Sequence, residues 1–176
     1  FTASKPTADF VTLDINVYNG SISNVAAVSS TVYTAIFTPN PANSTYTIDV
    51  AGSTFTDAAG NDNTAASTFN WTQDTVEPYM TITSTTVTDG STTSDATIVL
   101  TFTASEATTT FVAGDIIVTN GTISSFSGSG INYQATFTPE IAGDCTIDVP
   151  VGAFTDAAGN DNTAASTFNW LFDSVA

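Results

Sequence analysis

One seventeen-residue segment occurs twice in this chain without a single difference. The sequence FTDAAGNDNTAASTFNW occupies positions 55–71 and again positions 154–170. The similarity continues upstream, where FTASKPTADFVTLDINVYNGSIS from Phe1 aligns with FTASEATTTFVAGDIIVTNGTIS from Phe102. Self-similarity at one fixed period indicates a repeated structural unit. The chain is therefore predicted to contain two tandem copies of one domain, over residues 1–75 and 76–176.

The second copy shows the period-two alternation of apolar and polar residues that is typical of β-strands. Ala96, Ile98, Leu100 and Phe102 are expected to face inward, with Thr and Val residues between them facing outward. Similar alternation predicts about seven short strands separated by turns rich in Gly, Asn, Asp and Pro. Helical periodicity is absent. The sequence predicts an all-β fold, and this number of strands in each repeat favours an Ig-like β-sandwich.

Charge excludes several classes of partner. Seventeen acidic residues face one cation, Lys5, and there is no His, so the formal charge is −16. A negative field of this size repels phosphates and anionic lipids, and neither nucleic-acid binding nor membrane insertion is predicted. No apolar run approaches the roughly 20 residues of a membrane span. With neither an initiating Met nor a signal-peptide pattern, the chain is expected to be processed or excised from something longer.

Groups that perform catalysis are scarce, and no enzymatic activity is predicted. The chain offers one Lys, no His and one Cys, and nothing in the pattern places a carboxylate pair around a cleft. Cys145 occupies the position of Tyr46 in the other copy, in a strand where Ile147 and Val149 share its face. A buried core residue is therefore expected at Cys145, because no cation is available to lower the pKa of its thiol.

The turn DAAGNDN places two carboxylates and two carboxamides within seven residues of each copy. Ca²⁺ binds several such oxygens at about 2.3 to 2.6 Å, supplied by a bent loop. One interpretation is a Ca²⁺ ion at each loop, and the other is an Asx-type turn that caps its own backbone. No other cofactor is predicted. The candidate metal ligands are Asp57, Asn61, Asp62, Asn63, Asp156, Asn160, Asp161 and Asn162.

Four Asn-x-Ser/Thr sequons are candidate glycosylation sites. Chance alone produces about four sequons in a chain with this content of Asn, Ser and Thr. Two of them are Asn-Gly pairs that follow the same strand in each copy, and these pairs predict tight hairpin turns first. The four sequon residues are Asn19, Asn43, Asn70 and Asn120.

The repeated turn and the strand after it resemble the end of the Ig-like repeats in large bacterial surface adhesins. In that family, F-T-D-x-A-G-N is followed by a strand and then by D-T/S-x-x-P. Residues 55–61 and 74–78 carry this pattern in the first copy, and residues 154–160 and 173–175 carry it in the second. The resemblance implies a structural protein located outside the cell or on its surface.

The first copy starts at a later point of the repeat than the second. Phe1 aligns with Phe102, so the counterparts of residues 79–101, the first two strands, are absent. The inward faces of Phe37 and Phe69 are then expected to lack cover, and one sheet edge is expected to lack a partner. An upstream repeat or a neighbouring molecule is expected to supply the missing strands, and the second source generates a head-to-tail filament.

Two classes of function remain. The first is a structural repeat that self-associates into a homopolymer, as a filament subunit or the stalk of a fibrillar adhesin. The second is an adhesin module that binds a glycan or another surface. Trp71 and Trp170 share a strand face with Phe69 and Phe168, so core packing rather than sugar stacking is predicted for both tryptophans.

Overall fold

The computed structural model of the chain describes residues 1–174. The chain divides into two compact units, Phe1–Thr75 and Val76–Ala176. Apart from one short 3-10 turn in each unit, the regular secondary structure of the described residues is β-strand, which confirms the predicted all-β fold. Within the described part of the chain, no helix has the length and apolar character to cross a membrane.

The first unit contains one short 3-10 turn, Thr12–Asp14, and five strands. One antiparallel sheet has the order β1-β4-β5, and β2 and β3 form a second antiparallel pair. The strands are β1 (Ile15–Tyr18), β2 (Gly20–Ala27), β3 (Tyr33–Pro39), β4 (Thr45–Val50) and β5 (Phe69–Thr72).

The second unit, as far as residue 174, contains a 3-10 turn at Ala113–Asp115 and seven strands. One sheet has the order β10-β8-β6 and the other has the order β7-β12-β11-β9. All of these neighbours are antiparallel except β7 and β12, which are parallel. The strands are β6 (Met80–Ser84), β7 (Ser91–Thr93), β8 (Ile98–Thr108), β9 (Ile117–Thr119), β10 (Gly121–Pro139), β11 (Gly143–Asp148) and β12 (Phe168–Phe172).

The core of the second unit lies between its two sheets and follows the alternation in the sequence. Ile98, Leu100 and Phe102 have no exposed surface, whereas Val99 between them is 41% exposed. Cys145 on β11 is also fully buried, as predicted. Alternate residues of a strand point to opposite faces, so one face of β8 supplies the core while the other meets solvent.

Two elements of the second unit differ from the sequence prediction. β7 was not predicted, because its three residues, Ser-Thr-Thr, carry no apolar alternation. The two strands predicted around Ile123 and Tyr133 form a single element, β10, which turns back on itself near Gly128 and Gly130. A bond from Glu140 N to Asn120 O, 3.0 Å long, holds the two ends of this hairpin together.

The prediction of a tight hairpin at each of the two Asn-Gly pairs is wrong. Asn19 and Asn120 do adopt a left-handed conformation with φ of 57°. The strands on either side, however, pair in different sheets, so the chain crosses from one sheet to the other at this point. The residue after Asn120 must be a glycine, because a Cβ at Gly121 would lie 2.2 Å from Cζ of Phe137. Close ring packing rather than turn geometry therefore explains that glycine.

The first unit is an incomplete version of the second. β1, β4 and β5 correspond to β9, β11 and β12, and the β2–β3 pair corresponds to the β10 hairpin. Among the described residues, the first unit has no counterpart of β6, of β7 or of the first four residues of β8. Two strands were predicted to be missing; because β7 was not predicted, the described residues of the first unit in fact lack the counterparts of two whole strands and of the start of a third.

Candidate functional site

The backbone of β3 in the first unit has an open edge. Tyr33 N donates to Phe1 O, and the N-terminal amine of Phe1 donates to Tyr33 O, both at 2.9 Å. Phe1 therefore fills the position that Phe102 occupies opposite Tyr133 in the second unit. Beyond Tyr33, no described strand pairs with this side of β3.

The direction of the free backbone groups follows from the alternation of hydrogen bonding along an antiparallel strand. Because Tyr33 bonds toward Phe1, the N–H and C=O groups of Ala35 and Phe37 also point to this side. Thr34 and Ile36, which alternate with Tyr33, Ala35 and Phe37 along the strand, direct their backbone groups toward β2. Ala35 and Phe37 thus present the unpaired row of donors and acceptors that makes a sheet edge able to bind another strand.

The inward face of β5, in the other sheet of the first unit, is partly exposed to solvent. Phe69 is 64% exposed, whereas Phe168, its counterpart in the identical segment, is 6% exposed. Trp71 is half-buried, whereas Trp170 is buried. The two segments have the same sequence, so the difference arises from the strands that cover the second unit and are absent in the first.

A small aromatic cluster packs what remains of this side of the core. Tyr46 is fully buried, and its ring lies against those of Phe37 and Trp71 at centroid distances of 5.6 and 5.3 Å. The Tyr46 hydroxyl donates to Pro41 O at 2.7 Å, and its oxygen lies 3.0 Å from Oε1 of Gln73. Tyr46 therefore fills the position of Cys145 in the second unit with a larger, aromatic side chain.

The first DAAGNDN turn closes on its own carboxylate. Oδ1 of Asp57 accepts hydrogen bonds from the backbone N–H groups of Ala59 and Asn61, both at 2.9 Å. The Asn61 side chain donates to Oδ2 at 2.9 Å, and Lys5 Nζ donates to the same atom at 3.1 Å. These donors, the Asn61 side chain first, hold the pKa of Asp57 well below its ordinary value.

The second turn has the same internal bonds but a different neighbour. Oδ1 of Asp156 accepts from Ala158 N at 2.8 Å and from Asn160 N at 2.9 Å, and the Asn160 side chain lowers the pKa of Asp156 most. Glu106 stands in the place of Lys5. Oxygens of the Glu106 and Asp156 carboxylates lie within 4.8 Å of each other. The two loops are identical in sequence, but the charge of the residue beside them differs, positive at Lys5 and negative at Glu106.

The last Asn of each turn points inward rather than toward the loop. Asn162 is 1% exposed, its Oδ1 accepts from Phe154 N at 2.9 Å, and its Nδ2 donates to Pro150 O at 2.9 Å. Asn63 likewise accepts from Phe55 N at 3.1 Å. Asn63 and Asn162 thus hold the chain segment before each turn in place through side-chain hydrogen bonds to its backbone.

The eight candidate metal ligands are not gathered into one set in either unit. The Asp and Asn at the first and fifth positions of each turn bond to each other, and Asp62 and Asp161 are exposed. These contacts fit the Asx-turn interpretation, and the calcium site stays a prediction.

A comparison with protein-family models matches the chain to the bacterial Ig-like domain, over residues 1–72 and again over residues 74–171. The chain belongs to this family. The resemblance inferred from the repeated turn is thereby confirmed, and the two matched segments fit two tandem domains. No curated protein matches the chain. Membership supports a structural or extracellular Ig-like repeat.

The sequons of this bacterial Ig-like protein occupy two kinds of position. The Nδ2 atoms of Asn19 and Asn120 are engaged, donating to Ser44 Oγ at 2.9 Å and to Ile141 O at 2.8 Å. Asn43 and Asn70 are exposed. A glycan attaches at Nδ2, so Asn43 and Asn70 are the better placed of the four. Glycosylation stays a prediction.

Two features of these bacterial Ig-like units escaped the sequence analysis. Ala35 carries no distinctive side chain, and its importance lies in where its backbone groups point. The Lys5 to Asp57 ion pair joins residues far apart in sequence. The signal that was available for it is the exchange of Lys5 for Glu106 between two otherwise similar repeats.

Proposed function

We propose that this bacterial Ig-like chain is a non-enzymatic structural protein that acts outside the cell, as the subunit of a head-to-tail filament or the stalk of a fibrillar adhesin. Strands from a neighbouring protomer or an upstream repeat complete its first unit. The observation that carries the proposal is the open edge of β3, which is accompanied by the exposed Phe69 on β5 of the other sheet.

Energetics favour contact at this face. A sheet edge with unpaired backbone groups binds an extended segment through main-chain hydrogen bonds, while side-chain pockets select the sequence. The Phe69 ring adds apolar area that is worth about 25 cal/mol for each Å² removed from water. A contact that does not close on itself generates a filament, because each molecule offers one such face to the next.

Oligomeric state and a single edge variant test the proposal. The purified chain, with a mass of 18.1 kDa, is expected to give higher multiples of this mass in light scattering and filaments in electron micrographs. Ala35→Pro removes an N–H that points away from β2, so no bond to β2 is lost while strand addition is blocked. This variant should remain monomeric and folded.

The proposal fails if the wild-type chain stays monomeric across concentrations while remaining folded. It also fails if Ala35→Pro assembles as the wild type does. Circular dichroism of the variant provides the control, because an intact β-spectrum shows that any loss of assembly is not loss of folding.

A second candidate function is glycan binding. The rings of Phe69 and Trp71 lie 5.5 Å apart, and Phe69 is largely exposed. Exposed aromatic rings offer an apolar surface on which sugar rings can stack. Binding on a glycan array that is lost in Phe69→Ala and retained in Ala35→Pro would favour this function over strand addition.

A further inference from the structure

The second unit contains a filled version of the open face, and it identifies the chemistry of an occupant. Leu100 lies opposite Ala135, and Ile98 lies opposite Phe137 in the β8–β10 ladder. All four side chains are at most 2% exposed. The equivalent stretch of β3 has no strand opposite. An occupant of that stretch therefore needs two apolar residues separated by one outward-facing residue.

The other sheet is open at the equivalent place. In the second unit, β7 pairs in parallel with β12, and Ser91 lies opposite Trp170. In the first unit, β5 has a neighbour on one side only, β4, among the described strands. Residues 76–101, called here the leading segment, contain β6, β7 and the start of β8. The leading segment thus covers both sheets of the second unit.

A cavity in the first unit lies where a further portion of the leading segment would bind. It has a volume of about 570 Å³ and lies between the N-terminal residues and the loop that follows the DAAGNDN turn. Its lining includes Ser4 and Thr64, the counterparts of Ser105 and Thr163. Apolar rings from Phe1 and Phe10 contribute to the same lining.

In the second unit, the start of the leading segment occupies that place. Ser105 N donates to Tyr79 O and Thr163 N donates to Pro78 O, both at 2.9 Å. Met80, the next residue, is 3% exposed. The cavity is therefore lined by the counterparts of the groups that hold Pro78, Tyr79 and Met80 in the complete unit.

We propose that the first unit binds, from another polypeptide, an extended segment with the chemistry of the leading segment. Its last strand runs antiparallel to β3 and places a Leu-like side chain opposite Ala35 and an Ile-like side chain opposite Phe37. Its first strand places a Pro-aromatic-Met sequence in the cavity. This inference rests on the proposed function and specifies the strand that completes the unit.

A synthetic peptide of residues 76–101, added to the full chain, tests this inference. Trp71 should become buried, so its emission should shift to shorter wavelength, while Trp170 is already buried. Hydrogen exchange should slow at the amides of Ala35 and Phe37, which point to the vacant side. The amides of Thr34 and Ile36, already directed to β2, serve as internal references.

Two peptide variants distinguish binding in the proposed register from nonspecific apolar binding. Leu100→Asp places a carboxylate at the buried position opposite Ala35 and should weaken binding by about 30-fold or more, because a fully buried Leu contributes about 2 kcal/mol. Val99→Asp places the same charge on the outward face, where Val99 is 41% exposed. This variant should bind nearly as well as the unchanged peptide.

Each outcome decides the inference. Binding with protection at Ala35 and Phe37 supports it, and equal weakening by both variants overturns it. If the peptide does not bind but a fusion of residues 76–101 ahead of Phe1 closes the unit, binding from another polypeptide is overturned. Failure of the proposed function is distinct, because filament formation by the full chain is measured without any peptide.

Discussion

Phe69 and Phe168 occupy the same place in an identical seventeen-residue segment, so replacing each by Ala isolates the effect of tertiary cover. Their exposed fractions are 64% and 6%. For a side chain of about 200 Å², this corresponds to a difference of roughly 120 Å² of buried surface. At about 25 cal/mol per Å², Phe168→Ala should cost about 3 kcal/mol more than Phe69→Ala.

Urea unfolding measures the two costs separately, because each unit contains one tryptophan. Phe69→Ala is followed by Trp71 emission in a Trp170→Phe background. Phe168→Ala is followed by Trp170 emission in a Trp71→Phe background. We expect a loss of about 3 to 5 kcal/mol for the buried ring, which leaves a cavity, and of about 1 kcal/mol or less for the exposed ring.

Equal losses of unfolding free energy in the two units would refute the argument, because they would place Phe69 in a covered core. A first unit without a cooperative transition would refute it as well. Addition of the 76–101 peptide provides a further control. If the peptide covers Phe69, the cost of Phe69→Ala should rise toward that of Phe168→Ala.

Three further predictions concern single positions. Gly121→Ala should destabilise the second unit by about 1 to 3 kcal/mol, since the added Cβ meets the Phe137 ring; thermal melting measures this, and an unchanged midpoint would contradict the packing argument. The folded-state pKa of Asp57 is lowered, so its contribution to stability is present above the unfolded pKa of about 4 and is lost as pH falls through the folded value. Asp57→Asn should therefore flatten the loss of stability of the first unit below about pH 4, and an unaltered acid profile would be inconsistent with this. If the calcium prediction holds, CaCl₂ should raise the melting midpoint of the second unit, and Glu106→Lys should abolish that rise; no change between CaCl₂ and chelator in the wild type would end the calcium hypothesis.

Buried residues could be predicted most accurately from the sequence where burial alternates along one strand. Ile98, Leu100 and Phe102 of β8 were predicted individually, because one face of that strand packs in the core and the other meets solvent. Ala96, also predicted to face inward, is exposed and lies before the strand begins. β7 could not be predicted, because its three polar residues join the sheet through backbone bonds to β12. The sharp bend before Gly121 was assigned to a hairpin, since nothing local reveals that Phe137 packs on that glycine.

The candidate sites show the same division between local and distant information. The composition of the DAAGNDN turn predicts oxygen-rich loops, and the loops have that character. Which side chain turns inward depends on the surrounding chain: Asn162 is buried, whereas Asp161 beside it is exposed. The open edge at Ala35 could be predicted only from the alignment of the two repeats, since its cause is the absence of other residues.

The open edge of β3 belongs to a chain whose formal charge is −16. Molecules that approach one another at this edge repel over a Debye length of about 30 Å in 10 mM salt, but only about 8 Å at physiological ionic strength. For the proposed filament, we therefore expect ionic strength to set a threshold for assembly. The molecules should stay dispersed in dilute buffer and assemble in a saline medium.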